Sequence, residues 1–257
     1  MNVTSTEGGL LSGKTILVVG ASTGIGASAA RLFAAEGASV ALFARSADRI
    51  REVADEISDA GHPAISIAGD VSVGEDVARA VDETVARFGS LNGAFNNAAI
   101  GQTGRLEDVT EDDFDRIMAV NVKGVWLCLR EELRAMRASG SGAIVNVSSI
   151  GGYRGSPGFG AYQATKHAVL GLTRTAAHDG GPDGIRVNAI APGPVLTAMI
   201  VRPDGALPEP VQARIAATPL RRAAQPDDVA ETAAWLLSDR AGHVSGVTLP
   251  VDGGLTA

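Results

Sequence analysis

Seven short apolar runs alternate with longer stretches of helical spacing along this chain, and that alternation limits the available folds more than any single motif. The runs cover 15–19, 39–44, 64–68, 91–95, 143–147, 186–190 and 247–251. Strands that are apolar almost without interruption must be buried on both faces, so a parallel sheet with helices above and below is expected. Between the runs, 25–36, 48–60 and 75–88 carry helical patterns that end at Gly37, Gly61 and Gly89. Glycine is the residue that most readily adopts the left-handed conformation closing a helix. Thr110 with Asp113 resembles a capping box in which Asp replaces Glu or Gln, and predicts one long helix running to about residue 138. A last helix is expected over 227–237. No repeat or linker divides the 257 residues. The fold class is therefore α/β: a single doubly wound parallel-sheet domain of about seven strands over 12–257, behind a loose tail over 1–11. The Pro- and Gly-rich stretch 192–208 reads as a long loop, with a substrate lid expected around 193–216.

The first run leads straight into Gly20-Ala-Ser-Thr-Gly24-Ile-Gly26. A glycine-rich turn between strand and helix lets a diphosphate approach the helix N-terminus, the arrangement of a Rossmann dinucleotide site. Gly20, Ser22, Thr23, Gly24, Ile25 and Gly26 are the candidates, spaced G-x-x-x-G-x-G rather than G-x-G-x-x-G. A turn that merely packs is the alternative. Further on, Tyr162 and Lys166 stand four residues apart, with Ser149 thirteen positions before Tyr162. On a helix that spacing puts phenol and ammonium on one face. A free tyrosine titrates near ~10, and a neighbouring cation should lower that value and make it a usable proton donor or acceptor.

Composition removes several classes. A net charge of −7 opposes nucleic-acid binding, and no apolar run approaches the ~20 residues of a membrane span. The first residues lack the basic-then-apolar profile of a signal peptide. Cys128 is the single cysteine; it forms no internal disulfide and fits a reducing, cytoplasmic setting. His62, His167, His178 and His243 show no ligand spacing, so no metal site is expected.

From residue 12 to the C-terminus the chain resembles the short-chain dehydrogenase/reductase family. The matching stretches are GASTGIG (20–26), GDVS (69–72), NNAA (96–99), VNVKG with Asn121, VNVSS (145–149), YQATK (162–166), IRVNAIAPGPVLT (185–197) and VSGVTLPVDGG (244–254). The resemblance implies a tetrad of Asn121, Ser149, Tyr162 and Lys166. Tyr162 would exchange a proton with a carbonyl oxygen and Ser149 would hydrogen-bond that oxygen. Lys166 would depress the tyrosine pKa and hold the nicotinamide ribose, while Asn121 would position a water. The family's spacing to Tyr162 selects Ser149 over Ser148.

It also implies cofactor contacts from Asp70, Val71, Asn97, Ala98, Pro192, Gly193, Val195 and Thr197. Asp70 would meet the adenine edge or simply form a turn. Ala44 stands where NAD-using members carry Asp, and Arg45 and Ser46 follow, which favours NADP(H) over NAD(H). Val19 and Ala99 replace the usual Thr and Gly, removing a hydroxyl that ties neighbouring strand ends. Ile150, Tyr153, Phe159, Leu196 and Met199 would join Ser149 and Tyr162 around the substrate, an apolar ketone or aldehyde, or the corresponding alcohol. The implied function is hydride transfer between NADP(H) and that small molecule. The competing readings are a 3-oxoacyl-[acyl-carrier-protein] reductase and a non-catalytic NADP(H)-sensing protein. A homotetramer is expected through Ala164, Ala168, Gly171 and Thr175 on one helix face, together with 244–251 at the sheet edge.

Overall fold

The strands are β1 (Thr15–Val19), β2 (Ser39–Ala44), β3 (Ala64–Ala68), β4 (Gly93–Asn96), β5 (Gly142–Val147), β6 (Ile185–Pro192) and β7 (Thr248–Val251). In the computed structural model, which describes residues 8–202 and 204–257, they form one sheet ordered β3-β2-β1-β4-β5-β6-β7. Every pairing is parallel. The helices are α1 (Gly24–Ala35), α2 (Ala47–Asp59), α3 (Gly74–Phe88), α4 (Glu111–Met118), α5 (Gly124–Ser139), α6 (Gly160–Gly180), α7 (Glu209–Ala217) and α8 (Pro226–Leu237).

Side-chain alternation along β1 shows why both faces need cover. Ile16 and Val18 join a buried cluster with α1, α2 and α8, whereas Leu17 and Val19 join one with α3, α5 and α6. Each fully buried aliphatic or aromatic side chain stabilises the fold by about 1.5–3 kcal/mol. Phe33 of α1 meets Phe95 of β4 edge-on, ring centroids 5.7 Å apart. The chain leaves β3 at one edge and re-enters as β4 beside β1, so the C-terminal ends of β1 and β4 are the switch point where a doubly wound sheet opens a crevice. Among the described residues no helix is long and apolar enough to cross a membrane.

Three expectations need correction. The tail is not loose up to residue 11: Leu11 is fully buried and its backbone N–H donates to the Glu36 carbonyl at 3.0 Å. Packing against the C-terminal end of α1 therefore starts before residue 12; residues 1–7 lie outside the described residues. The single helix expected from Thr110 to about residue 138 is instead α4 and α5 joined by a π turn, Ala119–Lys123. Half of the expected capping box forms: Thr110 Oγ1 accepts the Asp113 N–H at 3.1 Å, while the Asp113 carboxylate takes the Thr110 hydroxyl at 3.2 Å rather than its N–H. The π turn, a geometry common at functional positions, is where Asn121 is buried.

The third correction concerns the sheet edge. β7 is the edge strand, but Val247 and Val251 give their carbonyls to Ala189 and Gly193, so the alternate residues Thr248 and Pro250 face outward. The Thr248 carbonyl accepts from the Tyr153 hydroxyl at 3.1 Å, and Pro250 has no N–H to offer. The Thr248 N–H and the Pro250 carbonyl remain as outward groups, too few for a regular pairing ladder.

Candidate active site

A cavity of about 350 Å³ opens at the C-terminal ends of β1 to β4. Its wall includes Gly20, Ser22, Thr23, Gly24 and Ile25 from the first turn, Asp70 and Val71 after β3, Asn97 and Ala98 after β4, and Thr197 from the loop after β6. Gly20 has φ +84°, and a Cβ there would lie 2.7 Å from the Ala98 backbone. Only glycine lets the turn pass this close to the neighbouring strand end. Gly26 is off the wall: any side chain there would collide with the Gly20 carbonyl, so it seats α1 against the turn. The ends of β1 and β4 are tied by Asn97, whose backbone N–H donates to the Val19 carbonyl at 3.0 Å and whose Nδ2 donates to the Gly20 carbonyl at 3.1 Å.

At the far end of the cavity Ala44, Arg45 and Ser46 line the wall with a residue that sequence reading missed, Arg49. Its spacing was the available signal, since Arg49 stands four residues after Arg45 in the first turn of α2. Neither arginine is in a salt bridge among the described residues, whereas Arg51 is paired with Asp48. Asp70 lines the cavity and also forms a turn, its Oδ1 accepting from the Ser72 backbone and hydroxyl at 2.8 and 2.7 Å.

The tetrad residues come together beside this cavity. Asn121 is buried, accepts the Ile100 N–H at 2.8 Å, and donates to the Ile100 carbonyl at 2.9 Å and to Thr165 Oγ1 at 3.2 Å. Thr165 donates to the Tyr162 carbonyl. Asn121 thus clamps a cavity-lining residue, Ile100, to the helix carrying Tyr162 and Lys166. Lys166 Nζ donates to the Val147 carbonyl at 2.9 Å and lies 5.6 Å from the centre of the Tyr162 ring. Ser148 is committed elsewhere, its hydroxyl donating to the Lys166 carbonyl at 2.9 Å, while Ser149 Oγ accepts the Gly151 N–H at 3.0 Å and lies near enough to the Tyr162 hydroxyl to pull its pKa down.

The electrostatics depart from expectation. Burial raises the Tyr162 pKa above that of free tyrosine, with the Ser149 hydrogen bond acting in the opposite direction. The lysine ammonium, 5.6 Å from the ring centre, does not reverse this. Burial brings Lys166 itself down to about 8. Tyr162 is accordingly a neutral phenol at neutral pH, a proton donor in its resting state.

Several expected contacts lie off the cavity wall. Val195 is buried in the core and bridges to Ala224; Pro192 ends β6 and is buried; Gly193 packs against Asp252. On the expected substrate side Ile150 is buried and Met199 is exposed on the cavity wall. Leu196 is held by its backbone N–H to the Ala224 carbonyl at 2.9 Å. Phe159 lies under the Arg214 guanidinium, 5.6 Å from the ring centre, which joins α7 to the start of α6. Tyr153 is tied by its hydroxyl to β7. The expected lid around 193–216 therefore includes a helix, α7, and not loop alone.

Comparison with known proteins follows this geometry. The sequence profile of a family described as enoyl-(acyl carrier protein) reductase matches residues 20–256. The chain is 47% identical to an A-factor type gamma-butyrolactone 1'-reductase (1S-forming) of Streptomyces virginiae, covering 96% of this chain and 97% of that one. It is 44% identical to a 2,5-dichloro-2,5-cyclohexadiene-1,4-diol dehydrogenase of Sphingobium indicum, covering 96% and 98%. The crystal structure of a dehydrogenase/reductase from Sinorhizobium meliloti, 36% identical, superposes with a TM-score of 0.90 over 96% of both chains.

Proposed function

The chain belongs to the short-chain dehydrogenase/reductase family, and on that premise we propose that it is an NADP(H)-dependent oxidoreductase of an apolar, ring-bearing ketone or its secondary alcohol. One observation carries the reading. The Tyr162 hydroxyl, close to Ser149 and with the buried Lys166 behind its ring, stands beside a glycine-walled cavity at the sheet's switch point.

The nicotinamide, when bound, supplies or takes up the hydride. Gly20, Ser22, Thr23, Gly24 and Ile25 would receive the diphosphate at the N-terminus of α1. Arg45 and Arg49 would meet a 2′-phosphate with charge-assisted hydrogen bonds. During reduction Tyr162 gives its proton to the carbonyl oxygen while Ser149 stabilises charge on that oxygen. Lys166 holds positive charge beneath the phenol as the proton leaves. The apolar side chains of Ile150, Phe159, Leu196 and Met199 favour a substrate without charge, and two relatives are named for a lactone and a cyclohexadiene diol. The buried Cys128 suits a reducing, cytoplasmic setting.

The test is consumption of NADPH and NADH with cyclic ketones, open-chain ketones, aldehydes and a 3-oxoacyl thioester. Turnover best with cyclic ketones and NADPH is the expected result. A clear preference for the thioester assigns the chain to acyl-carrier reduction. Cofactor binding without turnover on any substrate makes it a sensing protein.

A further inference from the structure

Beneath the strand ends that carry the site lies a buried polar cluster that the proposed chemistry does not use. Asn96 and Asn146 stand directly opposite each other on β4 and β5. Asn96 Nδ2 donates to Glu132 Oε2 and to Asn146 Oδ1, both at 2.9 Å. Asn146 Nδ2 donates to Thr173 Oγ1 at 3.0 Å, and Thr173 donates to the Val169 carbonyl at 2.8 Å. Glu132 of α5 is wholly buried. Two acceptors in the cluster have no partner: Asn96 Oδ1 and Glu132 Oε1.

An ionised carboxylate has no hydrogen to offer and would be left as a bare charge in the core. A neutral carboxyl carries the one hydrogen that such a pair of acceptors lacks. We propose that Glu132, as the neutral acid, is a positioning residue that holds the C-terminal ends of β4 and β5 in place and thereby sets the cofactor wall and the Ser149–Lys166 side of the site. The next residues explain the reach of the cluster. After Asn96 come Asn97 and Ala98 on the cavity wall. After Asn146 come the Val147 carbonyl that receives Lys166, and then Ser148, whose hydroxyl donates to the Lys166 carbonyl.

Burial lifts the Glu132 pKa to about 8, with the Asn96 bond pulling the other way. The groups facing Glu132 from β4, β5 and α6 are the uncharged Asn96, Asn146 and Thr173. The titratable neighbour on its own helix is Cys128, one turn earlier, whose thiol burial and Glu132 push up. No charged group of α3 or α6, Lys166 included, contributes to the Glu132 shift. The cluster is therefore intact below about pH 8 and opens as Glu132 ionises above it.

The proposal rests on the oxidoreductase reading only for its consequence, and its test separates the two. Backbone hydrogen exchange over 97–100 and 147–149 is measured at pH 6.5 and 9 in wild type, Glu132→Gln and Glu132→Leu. NADPH affinity is followed in parallel by nicotinamide fluorescence. Glutamine keeps the shape and supplies an N–H in place of the acid hydrogen, so it should match wild type at pH 6.5. At pH 9 wild type should exchange at least fivefold faster than Glu132→Gln in both segments and bind NADPH at least fivefold more weakly. Taking wild type over Glu132→Gln at each pH divides out the titration of Lys166. Glu132→Leu, which keeps volume without polarity, should be unprotected and weak-binding at both pH values.

Equal protection of wild type and Glu132→Gln at pH 9 overturns the proposal. So does a flat affinity ratio in a protein that binds the cofactor, or a folded Glu132→Leu with wild-type protection. A protein that binds neither NADPH nor NADH yet shows the exchange pattern defeats the oxidoreductase reading and leaves the positioning role standing.

Discussion

On the proposed reading Tyr162 exchanges the proton, and its surroundings set how each direction responds to pH. A phenol whose pKa burial raises is protonated at neutral pH and ready to donate, which favours carbonyl reduction; alcohol oxidation needs the phenolate. Lys166 keeps its charge only up to about pH 8. Reduction should therefore hold steady to about pH 8 and fall above it, while oxidation should rise with pH through the same range. Profiles of kcat/KM in both directions check this, and parallel profiles would remove the assigned roles. Tyr162→Phe keeps the ring and loses the proton donor. Turnover should fall by about 10²–10⁴-fold, the usual contribution of a general acid, with NADPH affinity within a few-fold of wild type. Stopped turnover together with lost cofactor binding would instead mean that the ring holds the site together.

At the scale of elements, the proposed reading gives cofactor choice to Arg45 and the first turn of α2. Arg45 and Arg49 share one wall of the cavity without a carboxylate partner among the described residues, and Ala44 puts no negative charge there to repel a phosphate. A charge-assisted hydrogen bond contributes about 1.5–3 kcal/mol, roughly tenfold or more in affinity. Arg45→Asp should reverse the preference from NADPH to NADH. Arg49→Ala should weaken NADPH by about tenfold and leave NADH unchanged. Comparing kcat/KM for the two cofactors decides it; a wild type that prefers NADH shows that these arginines serve the surface alone. Arg45 was legible because it follows a strand at a position with a known role. Arg49 was harder to read: its spacing from Arg45 was the one signal, and whether α2 turns that face toward the cavity is decided by packing.

For the whole molecule, assembly is the open consequence. Ala164, Gly171 and Thr175 are exposed and Ala168 half-buried along α6, so this small-residue face is not consumed within the subunit. Pro250 and the Tyr153 bond leave little of the sheet edge to a pairing strand. We expect a homotetramer that forms through helix faces, not through strand addition. Gly171→Arg tests this, since nothing lies within 4 Å of a side-chain carbon added at Gly171. Arginine is also the better helix former by nearly 1 kcal/mol, so the subunit itself should lose nothing. Light scattering should show a tetramer for wild type and a smaller species for the variant. A monomeric wild type, or a variant of unchanged mass, removes this interface.

The seven strands, the glycine turn and the Tyr162–Lys166 pair were legible in the chain because each rests on local periodicity or on spacing along one element. β1, β2 and β3 fall on the expected residues. The interruption at Asn121 was not legible. Helical spacing continues through 119–123, and the widening there goes with one side chain reaching both Ile100 and Thr165. Nor was the state of Tyr162, since a neighbouring cation in the sequence says nothing about whether it meets the hydroxyl or the ring face. Nor was Glu132, since the charged Glu131 and Arg134 around it hide its burial in the sequence. Its place under β4 and β5 follows from how α5 crosses the sheet. Local order is written in neighbouring residues; protonation and reach depend on what long-range packing brings against a group and what solvent it removes.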